Sequence, residues 1–299
     1  MTSLSVGAGT RSGGLVRPLV CVFKLRIGLA IALGALAGYA VTPAPALAGW
    51  QVLVLALAVL VAASAGGAIN QYVERTLDAR MARTRDRPFV TGRFRARYEW
   101  PVALLATLAG AVGVAAWALN PVTALYVALG AFTYVVVYTI WLKPRTWWSI
   151  VIGGLAGSFA VLAGSAAASP ELSPAAFALA LVLFLWTPSH FWALAIALRE
   201  EYAAAGIPML PVVAGPCLAA RAILLNTLAL ITAALLPLAY GLGVWYLAGA
   251  LLGGAYLLYA DLGLLRRGTR RAALIAFYAS LVQLTLLLGG AVLDVHLAV

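Results

Sequence analysis

Long apolar segments alternate with short clusters of Lys and Arg along this chain, and no other feature restricts its fold as strongly. The 20 Lys and Arg residues fall into five clusters, separated by apolar stretches long enough to cross a bilayer twice. This pattern allows every basic residue to lie on one side of a membrane, and it predicts a polytopic membrane protein with cytosolic basic loops. The clusters are Arg11 to Arg26, Arg75 to Arg97, Lys143 with Arg145, Arg199 with Arg221, and Arg266 to Arg271.

The composition excludes a soluble binding module. Only 10% of the 299 residues are charged and 64% are hydrophobic, whereas a soluble domain carries about a quarter charged residues. The net charge of +11 also occurs in proteins that bind nucleic acid. Here it is explained by membrane orientation, so no nucleic-acid partner is expected. The arginine-rich loop keeps positive charge for an anionic ligand or for the headgroups of the lipid bilayer.

Nine segments are long and apolar enough to span a membrane as helices. We therefore predict an all-α, polytopic transmembrane bundle of about nine spans with a cytosolic N-terminus. If one weak segment fails to insert, eight spans remain. Residues 1–20 are expected to form a disordered tail, and residues 21–299 a single transmembrane domain. The predicted spans are roughly 22–42, 51–72, 100–118, 121–141, 149–168, 174–196, 221–240, 243–264 and 273–293.

The first long basic loop begins with three polar residues spaced four apart, Asn70, Glu74 and Asp78. On a helix this spacing places the side chains on one face. Two carboxylates and an amide suit Mg²⁺, which commonly takes one or two carboxylates together with water and phosphate oxygens. Arginines in the same loop can bind phosphate oxygens in pairs. The pattern indicates a metal-diphosphate site, although a solvated helix end with local ion pairs would show the same spacing.

A second long loop carries the adjacent carboxylates Glu200 and Glu201. The chain has nine Asp and Glu residues, and most of them lie in these two loops. Four predicted spans separate the helices that enter the loops, so both loops are expected on the same face. Two acidic clusters on one face predict that two or more Mg²⁺ ions bridge a diphosphate.

Three stretches of the chain resemble a known family. Residues 70–88, which hold the spaced acids and several arginines, resemble the first motif of the UbiA superfamily of intramembrane prenyltransferases. Residues 186–213, which contain His190, Glu200, Glu201 and the Pro208-Met209 pair, are similar to its heme O synthase (protoheme IX farnesyltransferase) subfamily. Residues 138–154 fit the same subfamily. The chain differs in having Glu74, Glu200 and Glu201 where these enzymes usually have Asp.

The resemblance implies an enzyme that transfers a farnesyl group from farnesyl diphosphate to the vinyl group of heme b, with Mg²⁺ as cofactor. It also implies a multi-pass protein of the cell (inner or cytoplasmic) membrane with its active site facing the cytosol. The expected metal ligands are Glu74, Asp78, Glu200 and Glu201, with Asn70 beside them. The expected diphosphate contacts are Arg75, Arg83, Arg87, Lys143 and Arg199. Tyr138 and His190 complete the expected catalytic set.

Several alternatives remain open at this point. The acceptor of the same superfamily chemistry can instead be a quinone precursor or a chlorophyll-type ring. A transporter would place charge in the middle of the bilayer, whereas the acids here crowd one interface. Tyr138 has the alternative of a core tyrosine. His190 is predicted to contact the heme or to move a proton, and its alternative is a hydrogen bond between packed helices.

Overall fold

The computed structural model describes residues 14–297, and every regular element in this range is a helix. Residues 1–13, which include Arg11 and most of the expected tail, lie outside the described residues. The first helix begins at Val16. The helices are α1 Val16–Val22, α2 Leu25–Ala40, α3 Gly49–Val73, α4 Arg75–Asp78, α5 Glu99–Ala118, α6 Pro121–Phe132, a π-helix Thr133–Leu142, α7 Ser149–Gly153, α8 Leu155–Ala168, α9 Pro174–Ala197, α10 Arg199–Ala204, α11 Leu210–Val213, α12 Pro216–Ala233, a 3₁₀-helix Leu236–Tyr240, α13 Val244–Arg267 and α14 Arg270–Leu297.

Within this described range the expected number of spans is confirmed. Eight helical segments are long and apolar enough to cross a membrane, and α1 with α2 forms a ninth that is bent by 52°. The main differences in boundaries lie in the first span, which starts at Val16 rather than near residue 22, and in the seventh, which starts with α12 at Pro216 rather than near residue 221. Proline is well suited to the first turn of a helix, where its missing N–H has no partner to lose.

The spans form one closed bundle. Helix α2 packs against α3 and α8, α9 packs against α8, α12 and α14, and α14 returns to contact α2. At the α2–α8 crossing, Gly38 lies against the backbone of Val161 and Gly164 against that of Ala35. A methyl group at either glycine would overlap that backbone. Small residues of this kind let transmembrane helices approach closely enough to gain dispersion energy, which in lipid replaces the hydrophobic effect.

The fourth span changes from an α-helix to a π-helix in its second half. The wider turn is visible at its end, where the Lys143 backbone N–H donates to the carbonyl oxygen of Tyr138, five residues earlier, at 2.9 Å. Such segments are uncommon and often occur at functional sites, because the extra residue per turn redirects the side chains that follow. Thr139 of the π-helix and Lys143 directly after it contact Asn70 and Glu74 at the end of α3, and Tyr134 contacts Lys24.

Candidate active site

The end of α3 and the short helix α4 carry the three spaced polar residues of the first loop. The Glu74 N–H donates to the Asn70 carbonyl at 2.9 Å, and the Asp78 N–H donates to the Glu74 carbonyl at 2.8 Å. Helical geometry therefore continues through the break between the helices and keeps the side chains on one face. Asn70, Glu74 and Asp78 are only 2%, 3% and 1% exposed. A solvated helix end does not fit this burial.

One cation holds each of these three side chains, and the three cations come from separate parts of the chain. The pairs are Lys143 Nζ with both carboxylate oxygens of Glu74 at 2.6 Å, Arg87 Nη1 with Asp78 Oδ2 at 2.6 Å, and Lys24 Nζ with Asn70 Oδ1 at 2.6 Å. Two carboxylates and three cations give this group a formal charge of +1. The site therefore keeps a positive field that favours an anionic ligand.

Lys24 is the site residue that sequence reasoning did not single out. It lies at the bend between α1 and α2 with φ 48° and ψ 42°, a left-handed conformation that is uncommon outside glycine. Gly67 makes room for its methylene chain, since a Cβ there would come within 3.2 Å of Lys24 Cδ. The available signal was a lysine inside an apolar segment, because ionisable residues within spans are usually functional.

The Asn70 amide is fixed from both ends. Its oxygen accepts from Lys24, and its Nδ2 donates to Thr139 Oγ1 at 3.0 Å. The Thr139 hydroxyl in turn donates to the carbonyl oxygen of Tyr134 at 2.8 Å. The orientation of an amide is defined when its oxygen accepts from a donor and its nitrogen donates to an acceptor. The π-helix and the break in the first span thus hold Asn70 together.

Two tyrosines of the π-helix stack beside these cations. The rings of Tyr134 and Tyr138 lie 5.8 Å apart and nearly parallel. Lys24 Nζ lies 5.8 Å from the centre of the Tyr134 ring, and Lys143 Nζ lies 5.7 Å from that of Tyr138. The Tyr134 hydroxyl also accepts from Lys24 at 3.1 Å. Aromatic faces of this kind stabilise positive charge, and a catalytic role of Tyr138 stays a prediction.

The other arginines of the first loop have different surroundings. Arg75 donates through Nη1 to the Tyr72 carbonyl at 2.7 Å, and its guanidinium lies 4.9 Å from the centre of the Tyr72 ring. The side chain of Arg83 is exposed. Diphosphate contacts by these two residues stay predictions.

The second acidic loop meets the first through one hydrogen bond. The Arg83 backbone N–H donates to Glu201 Oε2 at 3.1 Å and joins residues 118 positions apart. Glu201 is partly buried, whereas Glu200 is exposed. Arg199 folds back within its own loop, since its Nε donates to the Pro211 carbonyl at 2.9 Å. The two loops therefore share one face of the bundle, and Glu201 is the carboxylate that links them.

His190 lies in α9, packed against α14. Its ring stacks between Trp186 and Phe277, with centroid distances of 4.2 and 4.3 Å. His190 Nδ1 is 2.7 Å from Ser280 Oγ, and the Ser280 hydroxyl donates to the Phe277 carbonyl. With that hydroxyl proton engaged, the Ser280 oxygen can accept from Nδ1–H, and in this tautomer Nε2 is the ring nitrogen with the free lone pair. The interhelical hydrogen bond is present, and a role toward heme stays a prediction.

The donor set fits Mg²⁺ when part of the coordination comes from a ligand. Within residues 14–297, no group of three or more His, Cys, Asp or Glu side chains could hold a metal ion by itself. Mg²⁺ needs only one or two carboxylates, because water and phosphate oxygens complete its shell. Asp78 Oδ1 is a buried carboxylate oxygen without a hydrogen-bond partner. Such an unsatisfied atom is costly unless a ligand completes it.

This bundle, with two acidic loops on one face, is that of an intramembrane prenyltransferase. The chain belongs to the UbiA prenyltransferase family, whose sequence pattern matches residues 31–285.

Among its relatives is Protoheme IX farnesyltransferase 2 of Paramagnetospirillum magneticum, which is 55% identical over 95% of this chain and 98% of the relative. Protoheme IX farnesyltransferase of Sulfurisphaera tokodaii is 39% identical over 92% of this chain and 94% of the relative.

Solved structures share the fold at low sequence identity. A digeranylgeranylglyceryl phosphate synthase aligns over 94% of this chain and 98% of its own, with a TM-score of 0.76 and 15% identity. A UbiA homologue from Archaeoglobus fulgidus, bound to DMAPP and Mg²⁺, aligns over 90% of this chain and 99% of its own, with a TM-score of 0.72 and 17% identity. These likenesses support the all-helical bundle.

Proposed function

We propose that this enzyme transfers the farnesyl group of farnesyl diphosphate to the vinyl group of heme b in a Mg²⁺-dependent reaction that gives heme o. The observation that carries the proposal is the 55% identity over 95% of the chain to a protoheme IX farnesyltransferase. A second relative at 39% identity is also a protoheme IX farnesyltransferase, which disfavours a quinone-type or chlorophyll-type acceptor. Membership of a prenyltransferase family disfavours a transporter.

The acidic residues are proposed to hold the metal ion. Glu74 and Asp78 would supply carboxylates from the first loop, with Asn70 beside them, and Glu201 and Glu200 would supply them from the second. Bound Mg²⁺ neutralises the charge that develops on the departing diphosphate. The support from the geometry is the burial of the first pair, the unpartnered Asp78 Oδ1, and the hydrogen bond that brings Glu201 to the first loop.

Basic residues are proposed to bind the diphosphate. Lys143, Arg87 and Lys24 now contact Glu74, Asp78 and Asn70. When metal ions and diphosphate enter, these cations can exchange such partners for phosphate oxygens without leaving a charge unpaired. Guanidinium groups suit this exchange because their fork matches two oxygens at once. Arg75, Arg83 and Arg199 are proposed as further contacts at the rim.

The reaction breaks the bond between C1 of the farnesyl group and the diphosphate oxygen, and the electron pair leaves with the diphosphate. C1 then bonds to the terminal carbon of the vinyl group. The positive charge left on the inner vinyl carbon is quenched by water, which loses a proton and remains as the hydroxyl. The tyrosine faces of Tyr134 and Tyr138 stabilise the allylic cation, and the apolar bundle keeps water away until C–C bond formation. His190 is proposed to face the heme through Nε2.

The orientation follows from charge. Lys and Arg are concentrated in the loops on the face that carries the acidic residues. The cytosolic loops of membrane proteins have an excess of Lys and Arg. We infer that the protein lies in the cytoplasmic membrane with its N-terminus and active site on the cytosolic side. Residues 21–299 are proposed to act as one domain, and of the residues before it those from Val16 onward belong to helix α1.

The test is product analysis in membranes that contain the full chain, supplied with heme b, farnesyl diphosphate and Mg²⁺. Mass spectrometry should find heme carrying one farnesyl group and one added water, and chelation of divalent cations should abolish it. Glu74→Gln should reduce the product at least tenfold, whereas Glu99→Gln, which alters an exposed acid at the start of α5, should not. If diphosphate is released while heme keeps its mass, the acceptor is wrong. If no diphosphate is released and the mass of heme does not change, the proposed enzyme class is wrong.

A further inference from the structure

A cavity distant in sequence from the acidic loops lies between the end of α13 and the start of α14. It has a volume of about 370 Å³, and its walls include Arg266, Arg267, Gly263, Ala260, Tyr259 and Ile275. The arginines occupy the last turn of α13, and the remaining walls are apolar or aromatic. Tyr259 is 71% exposed and Ile275 is 38% exposed. The cavity therefore combines a cationic end with an apolar wall on the outer surface of the bundle.

The positive charge at this cavity has no acidic counterpart nearby in the sequence. No Asp or Glu occurs from residue 262 to 293. Within residues 14–297, neither Arg266 nor Arg267 forms an ion pair. Asp261 precedes the cavity but is buried, and its Oδ2 accepts from the Thr227 hydroxyl at 2.7 Å. The cationic end is thus open to an external anion.

The next two arginines of the chain add positive charge at the N-terminus of a helix, where positive charge is normally unfavourable. Arg270 and Arg271 occupy the first turn of α14, which contains no acid. The N-terminus of a helix is already partly positive, so cations there are unfavourable unless an anion is close. Arg270 donates through Nε to the carbonyl of Ala197 at 3.2 Å. Arg266 and Arg267 thus line the cavity, and two more arginines follow them within the same six residues of the chain.

We propose that this cavity binds one anionic phospholipid, with its phosphate on Arg266 and Arg267 and an acyl chain along Gly263. Basic pockets between transmembrane helices at the cytosolic side bind acidic lipid headgroups. A free phosphate would need only the cations, whereas the apolar wall beside them matches the glycerol and acyl region. Gly263 leaves open space at the position of a Cβ, so the wall has room for a hydrocarbon chain.

A hydrogen bond connects the region of the proposed lipid site with the end of α9, next to the second acidic loop. Arg270 contacts the carbonyl of Ala197, the last residue of α9, and Arg199 begins the helix that carries Glu200 and Glu201. A lipid that holds this hairpin would therefore also support the end of α9. The binding itself is independent of the proposed reaction and can be measured without it.

The test uses the full chain in detergent, with native mass spectrometry after addition of phosphatidylglycerol or phosphatidylcholine. We expect phosphatidylglycerol to be retained and phosphatidylcholine to be lost. Arg266→Gln with Arg267→Gln should weaken phosphatidylglycerol binding roughly 25-fold, since each arginine near an anionic headgroup contributes about fivefold. Arg95→Gln with Arg97→Gln is the matched control, because it removes the same charge from exposed positions of the first loop. Equal loss in both variants would overturn a specific site.

A second variant tests the apolar wall without changing charge. Gly263→Leu fills the open space beside Ala260 and should fit without steric conflict, so the fold is expected to persist. It should reduce retention of phosphatidylglycerol several-fold. Soluble glycerol phosphate should fail to compete with the lipid in the unchanged protein. Full competition by glycerol phosphate, or unchanged lipid retention in the Gly263→Leu variant, would show that the acyl chain plays no part and would overturn the lipid assignment.

Discussion

The carboxylates of the two acidic loops differ in burial and in ion pairing. In the first loop Glu74 and Asp78 are almost fully buried, and each is paired with a cation, Lys143 from another segment and Arg87 from the same loop. In the second loop Glu200 is exposed, and Glu201 reaches the first loop through a backbone N–H of Arg83. Burial with ion pairing fixes side chains at the cost of desolvation, whereas exposed carboxylates keep their freedom. The first loop is therefore the rigid half of the site and the second the adjustable half.

The largest effect is expected at Asp78, the buried acid with an unpartnered oxygen. Asp78→Asn keeps the shape of the side chain but removes its charge, so metal binding fails and Arg87 loses its ion partner. We expect product formation to fall about 10²- to 10³-fold, as when a preorganised electrostatic contact is removed. Initial rates of farnesylated heme formation measure the change. A fall below tenfold would mean that the first loop is not the rigid half of the site.

Next comes the buried pair of Lys143 and Glu74. Lys143→Met leaves Glu74 buried without a partner, which typically destabilises a protein by about 3–5 kcal/mol. The combined change Lys143→Met with Glu74→Gln should recover much of that loss of stability while the enzyme stays inactive. Thermal unfolding in detergent, followed for both variants, separates the two effects. Equal stability of the single and combined variants would contradict the importance of this ion pair.

A smaller effect is expected at Glu201, which joins the loops. Glu201→Gln should raise KM for farnesyl diphosphate about tenfold, because it weakens metal binding while its remaining side-chain oxygen can still accept from Arg83. A charge-assisted hydrogen bond is roughly twice as strong as a neutral one, so the loops should separate more readily. Glu200→Gln provides the comparison within the same loop. A larger effect at Glu200 than at Glu201 would show that the observed hydrogen bond is not the relevant contact between the loops.

The smallest effect among these is expected at Lys24, which contacts an amide rather than a carboxylate. Lys24→Gln should raise KM about fivefold and weaken inhibition by inorganic pyrophosphate to a similar extent, because one charged contact is worth about 1 kcal/mol at a partly screened site. Arg26→Gln, at an exposed position two residues later, should change neither quantity. A lower kcat with unchanged pyrophosphate inhibition would assign Lys24 a purely structural part.

Much of this arrangement was predictable because membranes impose simple rules. Length and hydropathy located the nine spans, and the four-residue spacing placed Asn70, Glu74 and Asp78 on one face. The ion partners were not predictable by spacing, since Lys143 lies 69 positions from Glu74 and Lys24 lies 46 positions from Asn70. Such pairs depend on how spans pack. The hydrogen bond from Arg83 to Glu201 has the same origin.

The sequence pattern also did not predict the π-helix. Residues 133–142 are apolar and aromatic and have the composition of an ordinary span. The π-helix makes contacts with distant residues, such as that of Thr139 with Asn70, which the local sequence does not reveal. The same holds for His190, whose partner Ser280 lies 90 positions away in α14.

The wider turn of that segment also makes the site sensitive to chain length. An α-helix advances each residue by roughly 100° around its axis, and a π-turn contains one residue more than an α-turn. Deleting a single residue between Thr133 and Leu142 would let the span relax to regular α geometry and still cross the bilayer. The Lys143 ammonium would then swing about a quarter of a revolution off Glu74. A deletion of one codon would thus keep the membrane span and break the Lys143–Glu74 ion pair.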